Sequence, residues 1–267
     1  KKLPFFLFSD RSPLSIQWKN LLFIYPWLFK FLQNSSKDKV KEIISQLTFI
    51  LQKAYISNNN LFHDINFGNL ISDKETLYLY ENEKDYSNDE KNINLRESNN
   101  INFHFLSPDQ IKDLEPNLKK SFYKGILFEE SKFTINPLKF VQKIFNEYQR
   151  MKGVFTKRNI IKIENEDNLL LLKDNHKKFH KFNKIIICAG SFSNNLSNLV
   201  GENFPMVSER GYHLMYKNYK NLISRPISIV SQGSYYIPME EGLRVAGTVE
   251  IGGNDKLINK KRTSWMH

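Results

Sequence analysis

The stretch KFNKIIICAGSFSNNL, residues 181–196, combines the two features that decide how this chain folds. Its apolar run predicts a buried β-strand at 184–188, because successive apolar residues suit a strand that is covered on both faces. The small residues Ala189, Gly190 and Ser191 follow at once and predict a tight turn. These residues alone leave two interpretations open: a core strand with an ordinary turn, or a strand whose end brings backbone close to a ligand.

The segments before this stretch alternate between helix and strand. Asn136-Pro137 starts an amphipathic helix that ends near Gly153, and two β segments at 154–163 and 168–173 follow it as a hairpin. The order helix, hairpin, strand, small-residue turn and helix start is typical of α/β nucleotide-binding domains. The motif Gly-x-Gly-x-x-Gly occurs nowhere in the chain, so these residues do not include the usual phosphate-binding loop.

The rest of the chain predicts helices and aromatic-rich strands. Residues 20–33 are apolar but too few for a membrane-spanning helix, and they predict a buried or interfacial helix pair kinked at Pro26. Residues 81–100 are polar and predict an exposed helix and loop. Further helices are predicted at 36–55, capped by Ser35 or Ser36, and at 107–114. Further strands are predicted at 76–80, 125–128, 211–216, 234–238 and 243–249, of which the last three are expected to be antiparallel.

The composition is that of a folded protein with one large domain or two ordinary ones: 267 residues, 40% hydrophobic and 13% aromatic. The net charge is +11, but the lysines are spread along the chain, which argues against a nucleic-acid-binding surface. The single cysteine, Cys188, lies in an apolar run and predicts a buried, inert thiol. The six histidines show no metal-ligand spacing, so we expect no metal site.

Six blocks of sequence resemble, in the same order, the D-amino acid dehydrogenase and glycine oxidase group of FAD-dependent amine oxidoreductases. Each block is weak alone, whereas six in order are specific. Asn136 and Phe192 replace the Asp and Trp that are commoner in that group. The blocks are 11–16 with 26–32, 106–108 with 114–116, 125–128 with 136–138, 185–193, 210–213, and 242–250.

The resemblance implies an α/β fold of the mixed α+β kind. An incomplete Rossmann-like FAD-binding domain is interleaved with a substrate domain built on a mixed, largely antiparallel sheet. The family's pyrophosphate loop would precede Lys1 and its substrate-binding arginine would follow His267, so we expect the middle of a longer enzyme, inactive alone. The implied division is a helical segment attached to the FAD domain at 1–60, a first substrate-domain part at 61–150 with a connecting helix at 137–152, an FAD-domain part at 151–200, and a truncated second substrate-domain part at 201–267.

The implied activity is oxidation of the CH–NH2 group of D-amino acids to 2-oxo acids and ammonia, with FAD as the cofactor. A glycine or sarcosine oxidase-type activity and a non-catalytic fragment are the alternatives. Because the flavin carries the chemistry, the sequence needs no acid–base pair or nucleophile. The partner is then a small-molecule substrate, an amino acid, and the electron acceptor is left open, with a membrane quinone as one candidate. We expect a cytoplasmic location, with peripheral attachment to the inner face of the membrane through the basic, apolar-rich start of the chain as the alternative.

The resemblance also assigns residues to the site. Ile160 falls on the position whose backbone meets the adenine part of FAD. Ala189, Gly190 and Ser191 form the turn beside the cofactor, where small side chains let the backbone approach closely. Tyr235 matches, by its spacing to the proline that follows, a tyrosine of the substrate pocket.

Three further residues have competing interpretations. Tyr212 is a candidate substrate-binding residue and His213 could also reach the pocket, although we favour a buried, hydrogen-bonded pair. The guanidinium of Arg244 suits a carboxylate. Arg244 lies before the family's usual arginine, however, and we therefore expect it to have a structural role. Neither the pyrophosphate role nor the main carboxylate role is assigned to a residue of this chain.

Overall fold

A computed structural model describes residues 14–16, 20–167, 169–204, 206–252 and 259–264. The apolar run at residues 3–8, the first three residues of the block at 11–16 and the chain end at 265–267 lie outside the described residues. Among the residues that are described, no helix has both the length and the apolar character to span a membrane.

An eight-stranded sheet forms the centre of the fold, in the order β1-β13-β12-β11-β3-β5-β4, with β10 also paired to β13. Among these strands the pairs β1–β13 and β3–β11 are parallel and the others are antiparallel, which confirms the prediction of a mixed, largely antiparallel sheet. The strands are β1 (Leu14–Ile16), β3 (Thr76–Tyr80), β4 (Phe103–Leu106), β5 (Lys124–Phe128), β10 (Ser208–Tyr216), β11 (Ile227–Ile229), β12 (Ser234–Met239) and β13 (Gly242–Gly252).

The main hydrophobic core covers one face of this sheet, here called the core face. Leu77 of β3 and Leu243 and Val245 of β13 point to it, because alternate residues of a strand share a face. The short helix α4 (Pro108–Leu114) adds Ile111 to the same core. The residues that alternate with these core residues along each strand therefore point to the opposite face of the sheet.

Helix α3 (Glu83–Ser98) packs on part of the opposite face. Its Ile93 is buried against Tyr80 and Ile126, and Asp89 is also buried, where it accepts a hydrogen bond from the Tyr80 hydroxyl at 2.8 Å. The prediction of an exposed helix and loop at 81–100 was therefore right about the helix and about most of its side chains, and wrong for the face that carries Asp89 and Ile93. The buried carboxylate is tolerated because Tyr80 and other side chains of the helix hydrogen-bond to it.

Local capping signals place the helices at 107–114 and 136–150. Helix α4 (Pro108–Leu114) begins after Ser107, which forms a capping box with Gln110. Helix α5 (Pro137–Arg150) begins after Asn136, whose side chain accepts a hydrogen bond from the backbone N–H of Lys139. Both starts agree with the sequence, because a cap depends only on neighbouring residues.

The first two helices differ from the expectation. Helix α1 (Leu21–Gln33) is one helix that contains Pro26, rather than a kinked pair, and of its side chains only Ile24 is fully buried among the described residues. Helix α2 (Lys37–Asp64) starts at the predicted cap, Ser36, and continues beyond residue 55. Its last turn reaches α5, where the rings of Phe62 and Phe140 meet edge to face.

A second, three-stranded antiparallel sheet follows α5. It consists of β7 (Ile160–Glu166), β8 (Leu169–Asp174) and β9 (Phe179–Phe182), so the predicted hairpin has a third strand that the sequence did not suggest. A small sheet of β2 (Ile71–Ser72) and β6 (Phe133–Thr134) completes the strands described. The short helices α6 (Ser193–Ser197) and α7 (Lys260–Ser264) complete the helices described.

The segment 184–188 contradicts the prediction of a buried strand. None of its residues belongs to a strand, the side chain of Ile186 is 86% exposed, and Cys188 is exposed rather than buried. A strand needs a neighbouring strand to receive its backbone hydrogen bonds. No described strand lies beside this segment, so its apolar pattern has nothing to pair with there.

Candidate active site

A row of side chains crosses five strands of the large sheet on the face opposite the core, here called the outer face. The cross-strand register brings the members of the row side by side. Large and small side chains alternate along it. The row consists of Tyr78 (β3), Ser228 (β11), Tyr235 (β12), Ala246 (β13) and His213 (β10).

The two tyrosines of the row are hydrogen-bonded to each other. The hydroxyl oxygens of Tyr78 and Tyr235 are 3.0 Å apart, across the small side chain of Ser228. The guanidinium of Arg96, from α3, lies 5.3 Å from the centre of the Tyr78 ring. Burial, followed by the hydrogen bond with Tyr235, raises the pKa of Tyr78 above its usual value. A phenol is protonated at neutral pH in any case, so the pair keeps a hydroxyl proton to donate to a ligand.

Arg244, two residues before Ala246 on β13, and His213, which pairs with Ala246 from β10, form a second polar pair. Arg244 donates from Nη2 to Nδ1 of His213 at 3.4 Å, and its Nε is buried without a hydrogen-bond partner. Desolvation of the imidazole, followed by the positive charge of Arg244, lowers the pKa of His213 below its usual value. Within the described part of the chain, no carboxylate pairs with Arg244.

Tyr212 points away from this row, into the core. It is buried, its hydroxyl donates to Oε2 of Glu250 at 2.9 Å, and the same hydroxyl accepts from the backbone N–H of Asn259 at 3.3 Å. Its neighbour His213 is exposed, because successive residues of β10 point to opposite faces. The interpretation as a buried pair was therefore right for Tyr212 and wrong for His213, and the structure does not bring Tyr212 together with Tyr235.

Of the residues assigned to the cofactor, Ile160 lies in the second sheet, whereas Ala189, Gly190 and Ser191 lie in a turn that follows this sheet in the chain. Ile160 is the first residue of β7 and pairs with Asp174, and the ladder is irregular at the exposed Ile161 that follows. Ala189 precedes a 3-10 turn, Gly190–Phe192, in which Gly190 has a φ of +56°. Within the described residues no hydrogen bond joins Ile160 to this turn, so their convergence on one cofactor stays a prediction.

The turn at Gly190 has room for a ligand. A Cβ atom added at Gly190 would meet no atom within 4 Å, and its positive φ favours glycine. The preceding residues have no strand partner among those described, and Ile186 and Cys188 expose apolar side chains beside them. Unpaired backbone donors and acceptors next to exposed apolar groups fit a large, partly aromatic cofactor such as FAD.

The comparison with known families identifies the chain. A family model for FAD dependent oxidoreductases (DAO) matches residues 60–267. The chain belongs to this family. FAD is therefore the cofactor with which the space at the Gly190 turn has to be compared. The mixed α/β architecture of the chain is that of the family.

Relatives and solved structures extend the likeness over nearly the whole chain. The D-amino-acid oxidase of Bradyrhizobium diazoefficiens is 25% identical over 98% of this chain, and the D-amino acid dehydrogenase of Vibrio vulnificus is 23% identical over 96%. The chain spans 62% and 63% of the length of these two relatives. The crystal structure of glycine oxidase from Bacillus cereus shares the fold, with a TM-score of 0.64, 16% identity, and coverage of 84% of this chain and 61% of that one.

Sequence reasoning missed Tyr78 as a site residue. The strand at 76–80 was predicted, and its alternation with Leu77 and Leu79 already places Tyr78 on the face opposite two leucines. The missing information was the strand order, since Tyr78 and Tyr235 meet only because β11 lies between β3 and β12. Such long-range pairing leaves no local pattern in the sequence.

Proposed function

We propose that the full-length protein is an FAD-dependent oxidoreductase that oxidises the CH–NH2 group of D-amino acids to 2-oxo acids and ammonia. The observation that carries this proposal is the family match, together with relatives named for D-amino acids that align with nearly the whole chain. The outer face supports it, because it presents hydroxyl and guanidinium donors that suit the carboxylate of an amino acid.

The chain would contribute binding and orientation rather than proton-transfer groups. Ile160 and the turn of Ala189, Gly190 and Ser191 would hold FAD through backbone groups. When bound, FAD supplies the acceptor for the hydride that leaves the substrate Cα, and the resulting imine hydrolyses in water. The hydroxyl of Tyr235 would position the substrate on the outer face. A fixed substrate orientation is the main source of rate in such a site.

We further propose that residues 151–200 belong to the FAD domain and that 61–150 and 201–267 build the substrate domain. The separation of the three-stranded sheet from the eight-stranded sheet supports this division. Tyr212 would then act within the substrate domain by holding the buried carboxylate of Glu250 through its hydrogen bond, rather than by touching the substrate.

The proposal is tested with the purified full-length protein. A visible flavin absorption band is expected, and anaerobic addition of a D-amino acid should bleach it while the L-enantiomer does not. Glycine and sarcosine in the same panel test the oxidase-type alternative. Oxygen consumption compared with dye reduction then distinguishes an oxidase from a dehydrogenase. A folded, colourless protein, or a flavin that no amine reduces, would refute the proposed function.

A further inference from the structure

We propose that Arg244 and His213 form a second anion subsite, which selects substrates that carry a carboxylate on the side chain as well as on Cα. This inference rests on the proposed function, since it concerns the substrate class of the same site. The substrates would be acidic D-amino acids such as D-aspartate and D-glutamate.

The geometry of the outer face provides two separate donor groups. The hydroxyls of Tyr78 and Tyr235 lie on the β12 side of Ala246, His213 lies on its β10 side, and Arg244 precedes Ala246 by two residues on β13. Tyr235 and His213 both pair in register with Ala246, so two strand spacings, roughly 10 Å, separate their backbones. The side chain that lies between them in this row is the methyl group of Ala246. In the proposed complex, one small molecule with two anionic ends would lie over Ala246 and reach both groups.

The positive charge of Arg244 is the observation that indicates an anion-binding site. The residue is half-buried, its Nε is buried without a partner, and its described hydrogen bond goes to an imidazole rather than to a carboxylate. A guanidinium withdrawn from water is unfavourable unless an anion or several acceptors compensate it. Arg225, a buried arginine of the same protein, is compensated in this way by the carboxylates of Glu115 and Glu75.

The residues opposite Arg244 in the sheet do not neutralise its charge, so the guanidinium can bind a ligand. In the register of the sheet, Met215 and Ile237 lie opposite Arg244 on the two neighbouring strands, and neither brings a competing carboxylate. His213 accepts the hydrogen bond of Arg244 as a neutral ring, which orients the guanidinium without neutralising its charge. A charged hydrogen bond from Arg244 to a side-chain carboxylate would then favour acidic over neutral substrates.

The experiment compares acidic with neutral substrates in the full-length protein. We expect wild type to reduce its flavin with a higher kcat/KM for D-glutamate than for D-norvaline, which has a similar chain length. Arg244→Met should lower kcat/KM for D-glutamate by roughly tenfold to a hundredfold, which is the loss of one charged hydrogen bond, and leave D-norvaline nearly unchanged. Arg244→Lys should recover part of the loss.

A matched control removes a positively charged side chain that lies next to the same sheet. Lys217 follows β10, is exposed, and lies 3.9 Å from Glu241. Lys217→Met should leave the preference for D-glutamate intact. An equal loss for both substrates in Arg244→Met would instead assign Arg244 to the carboxylate common to all amino acids, and no loss would assign it a structural role. Either result overturns the second subsite.

A binding measurement on wild type keeps the test independent of turnover and of variant folding. Succinate and butyrate have four carbons each and differ by one carboxylate. Succinate should perturb the flavin absorption spectrum at a lower concentration than butyrate by roughly tenfold or more. Equal midpoints would refute the subsite. If neither acidic nor neutral D-amino acids reduce the flavin, the proposed function fails, while this titration still tests the subsite.

Discussion

The hydroxyl groups of Tyr78 and Tyr235 lie 3.0 Å apart although 157 residues separate them in the chain. Their contact depends on β11, whose Ser228 pairs with both and is small enough to let the hydroxyls meet. Tyr235, which the family resemblance predicts to line the substrate pocket, is thus hydrogen-bonded to a second tyrosine from a distant part of the chain.

Removal of the Tyr235 hydroxyl should impair substrate binding and leave the cofactor in place. Tyr235→Phe loses one hydrogen-bond donor on the outer face, and we expect kcat/KM for D-amino acids to fall about tenfold. The ratio of flavin to protein should not change. The matched control is Tyr236→Phe, whose hydroxyl bonds to Gln232 and whose ring packs against the core cluster. Equal activities for the two variants would argue against a substrate role for Tyr235.

The bulge between β10 and β13 depends on Gly247. The register shifts there, and a Cβ atom at Gly247 would lie 2.6 Å from the carbonyl oxygen of Gly233 and 2.8 Å from Cα of Ser234. Because these are backbone atoms, Gly247→Ala must displace β12, and we expect a loss of about 1–3 kcal/mol in the free energy of unfolding. Urea denaturation measures it. Gly211→Ala is the control, since a Cβ atom there meets nothing within 4 Å, and a similar loss there would contradict the steric explanation.

The proposed cofactor turn can be tested with two glycines of the same backbone class. Gly190 and Gly201 both have positive φ, and a Cβ atom at either meets no atom within 4 Å. Alanine at either position should therefore lower stability similarly, by roughly 1–2 kcal/mol for the left-handed conformation. Only Gly190→Ala should weaken flavin binding, measured as flavin release during dialysis against urea below the unfolding midpoint. Equal retention in both variants would exclude the turn as a cofactor contact.

The elements that were predicted correctly are those with local signals. The capping box of Ser107 with Gln110 and the Asn136 cap fix helix starts through contacts within four residues. The alternation of apolar residues likewise located β3 and β13. The assignment of a family came from the order of the blocks, and it supplied the cofactor, which the residues alone left open.

The elements that were not predicted depend on what lies beside them. The segment 184–188 has a strand's composition without a partner among the described strands, so Ile186 and Cys188 are exposed. Asp89 lies in a polar segment that was predicted to be exposed, but it is buried and accepts a hydrogen bond from Tyr80 of β3. The role of Tyr78 needed the strand order of the sheet. Burial and pairing of this kind follow from the tertiary structure and leave little trace in a single sequence.

The turn between β8 and β9 should make the protein sensitive to acid through Asp174. Hydrogen bonding to His180, followed by the backbone N–H groups of Lys178 and His176, lowers the pKa of the Asp174 carboxyl, although burial opposes this. A carboxyl whose pKa is lower in the folded state stabilises the fold above its unfolded pKa, about 4, and loses this contribution as the pH falls through the folded value. Asp174→Asn should therefore lower stability at pH 7 and make the unfolding free energy less dependent on pH below about 4. Urea denaturation across that range, with the exposed Asp113→Asn as the control, measures both effects, and an unchanged pH profile in Asp174→Asn would contradict the role of this carboxylate.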